Sequence, residues 1–120
     1  KVVQWMDAQS ISSLHITSIT VAEIRLGIAQ LPAGRRKSAL QSSADDMFAV
    51  DFAGRCLPFD VHAAEIYAAV TTQRRRLGRS ISVEDALIAA ITLAHDFILV
   101  TRNGRDFEQI EDLKLINPWE

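Results

Sequence analysis

Apolar residues recur along this chain in two rhythms, and the alternation between them predicts its elements. Over residues 2–8 and again over 21–30 they return every third or fourth position, as on one face of a helix. The second of these stretches carries Ile24, Leu26, Ile28 and Leu31 and ends before Pro32. Residues 34–53 keep helical spacing through Leu40, Ala44, Met47 and Phe48. A further helix, capped by Asp60, runs through Ile66, Tyr67 and Val70 to Arg76 and stops at Gly78. Residues 14–17 form a short strand candidate, and unbroken apolar runs mark strands at 97–100, which reads as the clearest buried strand, and at 115–116. Residues 55–58 read as a short strand or extended link, since Pro58 excludes a central ladder position. One more helical turn is expected over 106–110. No repeat or linker interrupts the alternation. It predicts a single α/β domain over residues 1–120, with a mainly parallel central sheet between helical layers.

Residues 81–94 stand apart because they are apolar on nearly every side, which marks a buried helix. Asp85 lies in its first turn, where an ionised oxygen near the core needs a hydrogen bond, a cation or a metal. Composition narrows the setting. The chain of 120 residues is 48% hydrophobic and 23% charged, as in an ordinary globular domain. A net charge of −2 provides no general attraction to nucleic acid, so such binding must rest on local patches or metal ions. The lone cysteine, Cys56, excludes an internal disulfide and a thiolate zinc cluster and reads as a small buried hydrophobe. No apolar run reaches transmembrane length and no signal peptide is visible, so the expected location is cytoplasmic and away from membranes. The opening, Lys1-Val2-Val3-Gln4-Trp5-Met6, reads as the middle of a helix, and a preceding segment is expected.

In open parallel sheets ligands bind at the carboxyl ends of the strands, where the next helices begin. Ser18, Thr20 and Glu23 follow the first strand; Ser82 and Asp85 open the apolar helix; Thr101, Asn103 and Asp106 follow the strand at 97–100. Three carboxylates, Glu23, Asp85 and Asp106, are thus expected at one edge. No Lys or Arg lies within the first two motifs, while Arg102 and Arg105 flank the third. Oxygen ligands with few neutralising cations suit a hard divalent ion such as Mg2+ or Mn2+. A structural reading competes with this one. Thr20-Val21-Ala22-Glu23 and Ser82-Val83-Glu84-Asp85 both have capping-box spacing, and acids near helix N-termini gain from the macrodipole. Asp106 alone also fits a surface or capping acid.

Among the basic residues, Arg74-Arg75-Arg76 with Arg79 reads either as a phosphate contact or as a solvated helix end. Arg35-Arg36-Lys37 reads as a solvated turn. Trp5 and Trp119 suit core or interface packing, with base stacking as the other use. His15, His62 and His95 form no Ser-His or Cys-His arrangement, so no covalent nucleophile is expected.

Thr17-Ser18-Ile19-Thr20-Val21-Ala22-Glu23-Ile24-Arg25-Leu26-Gly27-Ile28 resembles the second acidic motif of PIN-domain ribonucleases, and Ile81 to Ala90 their third. Leu99-Val100-Thr101-Arg102-Asn103-Gly104-Arg105-Asp106-Phe107, followed by Leu115-Ile116-Asn117-Pro118-Trp119, is similar to the closing segment of VapC and FitB-like toxins. The resemblance spans essentially the whole chain, in order and spacing. It implies a PIN-like three-layer α/β/α fold and a metal-dependent endoribonuclease toxin of a toxin–antitoxin pair. The implied substrate is RNA, with a tRNA as the family-based guess. Glu23, Asp85 and Asp106 would hold Mg2+ or Mn2+, and Asn103 stands where some members place the last acid. Thr101 would position water or phosphate, with Arg102, Arg76 and Arg79 as RNA contacts. The implied partners are a cognate antitoxin and a second copy in a homodimer.

The family's first aspartate lies on an N-terminal strand that nothing here matches, so the chain is expected to lack that strand and to be inactive without it. Two rivals remain at this level. One is a receiver-like phosphoryl-transfer domain, for which Lys114 is poorly placed. The other is a PIN-like binding module without catalysis, acting through dimerisation and an antitoxin-like partner.

Overall fold

The computed structural model describes Gln4, Trp5, Gln9 and residues 13–118. Of the helix expected over 2–8, Gln4 and Trp5 are helical and the rest lies outside the described residues, as does Trp119. The chain divides into two compact units, residues 9–58 and residues 59–120 together with 1–8.

In the first unit, β1 (Ile16–Thr17) pairs in parallel with β2 (Cys56–Leu57), Ile16 opposite Cys56 and Thr17 opposite Leu57. The chain turns straight from β1 into α1 (Ser18–Ala29). Thr17 is the N-cap, its Oγ1 accepting the Thr20 N–H at 3.1 Å. The helix therefore starts ahead of the apolar periodicity, because its first turn is built on hydroxyl residues, and Thr20 is not the cap the spacing suggested. Arg35, Arg36 and Lys37 open α2 (Arg35–Asp46) rather than forming a turn, and Lys37 Nζ donates to Ala29 O at 3.1 Å. The helix continues into a π turn over Met47–Asp51. Arg25 joins α1 to this element, meeting Asp45 at 2.6 Å and lying 4.9 Å over the Phe48 ring. Cys56 is exposed, contrary to its reading as a buried hydrophobe. Side chains alternate across a strand, and in β2 it is Leu57 that takes the half-buried side.

In the second unit, α3 (Val61–Arg76) and α4 (Val83–Ala94) pack against each other. Both caps are those the sequence predicts. Asp60 accepts the Ala63 N–H at 2.9 Å, and Ser82 Oγ accepts the Asp85 N–H at 3.1 Å. Gly78, at φ 69°, supplies the left-handed residue that follows α3. Ala86, Ala89, Ala90 and Ile91 of α4 are buried, and buried Thr92 donates its hydroxyl to Ile88 O at 2.8 Å. Val70, Ala89, Phe107 and Ile110 form the core, flanked by Ile66, Ile81, Leu93, Leu99, Leu113 and Leu115.

β3 (Ile98–Val100) pairs in parallel with β4 (Lys114–Ile116), and the crossover between them carries a 3-10 turn (Gly104–Phe107). The expected strand is present but not buried. Leu99 packs on the core, whereas Ile98 and Val100 are 51% and 38% exposed. An unbroken apolar run does not reveal whether one face or both are covered, and here the pleat buries one. The strands are parallel, as expected of an α/β chain, and the described ones pair two by two, one pair in each unit. No helix among the described residues is long and apolar enough to cross a membrane.

Candidate functional site

Glu23 lies in the first unit, in the second turn of α1. With Thr17 as the cap, Glu23 is too far along the helix to complete a capping box, so that structural explanation lapses. It is exposed, and its carboxylate meets no hydrogen-bond or ion-pair partner among the described residues.

Asp85 is the third residue of α4, and its backbone N–H is used by the Ser82 cap. The return bond of a full capping box, from the Asp85 carboxylate to the Ser82 N–H, is not formed. The side chain is half-buried and its oxygens are bonded to no described residue. Only half of the capping explanation survives, and it concerns the backbone. The carboxylate remains available to a cation.

The segment after β3 is shaped by its own short side chains. Thr101 N–H donates to Ile116 O at 3.0 Å, and the Thr101 hydroxyl accepts the Asn103 N–H at 3.1 Å. The Asp106 N–H donates to Asn103 O at 3.0 Å, opening the 3-10 turn, and Asn117 Nδ2 donates to Arg102 O at 3.2 Å. Phe107 anchors this turn in the core. A cleft of about 610 Å3 lies beside it, lined by Arg102, Asn103, Arg105, Asp106, Glu108 and Asn117 among others. Four of the residues singled out from the sequence, Thr101, Arg102, Asn103 and Asp106, thus belong to one loop. Asp106 is exposed, and its carboxylate is bonded to no described residue.

The arginine run divides by burial. Arg74 is 3% exposed and spends its guanidinium on backbone carbonyls: Nε on Arg79 O at 2.9 Å, Nη1 on Asp106 O at 3.1 Å and Glu108 O at 2.9 Å, Nη2 on Ser80 O at 3.5 Å. It is neither a solvated helix end nor free for phosphate. Arg79 reaches Glu108 at 3.8 Å and so stands beside the cleft. Exposed Arg76 instead lines a separate groove of about 950 Å3, with Ile66, Val70, Leu93 and Leu113 as its apolar part. Lys114 meets exposed Asp96 at 3.9 Å. Sequence reasoning missed Arg74 as a structural centre, although position 74 continues the stripe of Ala63, Ile66 and Val70. Asn117, the other omission, carries no such signal.

Within each unit, among the described residues, no three His, Cys, Asp or Glu side chains gather into a group able to hold a metal. The donor chemistry nevertheless suits a hard divalent cation. Glu23, Asp85 and Asp106 all present carboxylates free of hydrogen bonds to the described residues, and Asn103 adds a neutral oxygen.

The family profile of the PIN domain matches residues 1–113. The VapC ribonuclease Y4jK of Sinorhizobium fredii is 42% identical over 119 residues, covering 99% of this chain and 84% of the relative. Toxin FitB of Neisseria gonorrhoeae is 36% identical over 119 residues, covering 99% of this chain and 85% of the relative. A solved structure of FitAB bound to an IR36 DNA fragment superimposes with a TM-score of 0.92 at 36% identity, covering 99% of this chain and 82% of that one. On these matches the chain belongs to the PIN-domain family.

Proposed function

We propose that this protein is an endoribonuclease toxin of a toxin–antitoxin pair, hydrolysing RNA phosphodiesters with Mg2+ or Mn2+. The ion would be held by Glu23, Asp85 and Asp106, with Asn103 as an auxiliary oxygen. The observation that carries this reading is that all three carboxylates lack hydrogen-bond partners among the described residues, Asp85 while half-buried. A carboxylate without a partner on the chain is open to a hard cation. Kinship with a relative named as a VapC ribonuclease and another named as a toxin supports the choice of RNA hydrolysis over other acid-metal chemistry.

When bound, the divalent ion supplies Lewis acidity toward the phosphate and activates water for attack. The chain's own residues do the rest. The loop shaped by Thr101 sets Asn103 and Asp106 beside the cleft, and Arg102 and Arg105 on its wall offer charge to the RNA backbone. Arg79 stands at the same place through Glu108, whereas Arg76 contacts RNA only if the strand also follows the separate groove. We take a cytoplasmic RNA, a tRNA first, as the substrate, a small antitoxin as the inhibitor and a homodimer as the working form.

A cleavage assay on the purified full-length protein, including the N-terminal strand and aspartate that the family resemblance implies, tests this directly. RNA is expected to be cut with Mn2+ or Mg2+ and left intact with chelator, and expression in bacteria is expected to arrest growth. Asp85→Asn is expected to remove both effects. Cutting that persists in chelator, or growth arrest that survives Asp85→Asn, would sink the metal-nuclease reading. Arrest without any RNA cleavage would favour the binding-module rival.

A further inference from the structure

Arg74 is the most heavily committed side chain of the second unit, and nothing in the proposed chemistry uses it. Its position is unusual for a cation. It sits at the end of α3 on the buried stripe, 3% exposed, and its four hydrogen bonds all go to backbone carbonyls rather than to a carboxylate. Those carbonyls belong to two segments far apart in sequence. Arg79 and Ser80 lead into the Ser82 cap and the Asp85 turn, while Asp106 and Glu108 belong to the 3-10 turn and its exit. The Arg79–Glu108 pair at 3.8 Å links the same two segments at the surface.

A buried guanidinium is expensive to desolvate, and here four backbone carbonyls offset that cost. What a guanidinium adds is rigidity in direction, since five N–H donors lie in one plane at fixed angles. We infer that Arg74 is a positioning residue: its guanidinium fixes the loop at Arg79–Ser80 that leads into the Asp85 turn, and the 3-10 turn that carries Asp106, in one mutual geometry. The functional consequence rests on the metal-nuclease reading, because the two carboxylates it aligns are the proposed ligands. It touches neither RNA nor the ion. Outer partners that orient metal ligands are commonly worth about 10- to 100-fold in affinity or activity.

The test compares wild type with Arg74→Lys, which keeps the buried charge but cannot reproduce a planar fork, and with Arg74→Met, which removes the charge. Amide hydrogen exchange is measured on each, together with Mn2+ affinity by electron paramagnetic resonance of the free ion. Arg74→Lys is expected to speed exchange in both segments, residues 79–85 and 104–108, while the middles of α3 and α4 keep their protection. It is also expected to weaken Mn2+ binding about tenfold or more and to lower kcat for RNA cleavage with KM little changed. Exchange that rises in one segment only, or uniformly through the unit, overturns the inference, as does unchanged Mn2+ affinity in a variant whose two segments have loosened. If Arg74→Met does not fold, Arg74→Lys alone decides. If wild type binds no Mn2+ and cuts no RNA, the nuclease reading falls, and the paired exchange response still decides whether Arg74 sets this geometry.

Discussion

The backbone N–H of Asp85 is donated to Ser82 Oγ at 3.1 Å, whereas its carboxylate is bonded to no described residue. Local structure and chemistry are therefore served by different atoms of one residue, and two substitutions separate them. Asp85→Asn leaves the cap bond in place and removes only the favourable charge near a helix N-terminus, a loss of about 0.3–1 kcal/mol. Urea unfolding is expected to register that small change while RNA cleavage disappears. Ser82→Ala should do the reverse, costing about 1 kcal/mol of stability while leaving the carboxylate in place and cleavage detectable. The role of Ser82 was legible because a polar cap precedes an apolar run. Glu23 was harder: its Thr20 spacing imitates a capping box, and only the location of the true cap at Thr17 shows that the acid has no structural task there.

At the scale of elements, the 3-10 turn is the part on which the site depends most. It is short, carries Asp106 on its exposed side, and is held by Phe107 in a core shared with Val70, Ala89 and Ile110. Phe107→Ala is expected to cost about 3–5 kcal/mol, seen as a lowered urea midpoint, and to loosen the turn. The bounds of α3 and α4 could be read from Asp60, Ser82 and Gly78, since each has a definite stereochemical task at a helix end. β3 could be placed but its burial could not, because Ile98 and Val100 look the same in sequence whether or not a layer covers them. Arg74 was hidden for a different reason. Next to Arg75 and Arg76 it resembles part of a solvated run, and only its place on the buried stripe distinguishes it.

For the whole molecule, a net charge of −2 means that RNA attraction must come from local cations, chiefly Arg102 and Arg105 on the cleft. Binding of single-stranded RNA to the non-cleaving Asp85→Asn protein should then depend only shallowly on salt. Each phosphate contact contributes a slope of about −0.7 in log K against log salt, so Arg102→Ala should flatten the dependence by about that much. An unchanged slope would remove Arg102 from the RNA path.

Mn2+ titration of the purified full-length protein, followed by the electron paramagnetic resonance signal of the free ion, tests the central claim most directly. Wild type is expected to bind Mn2+, and Glu23→Gln, Asp85→Asn and Asp106→Asn are each expected to weaken binding by about tenfold or more while unfolding at nearly the wild-type urea concentration. Equal affinity in wild type and all three variants would contradict it.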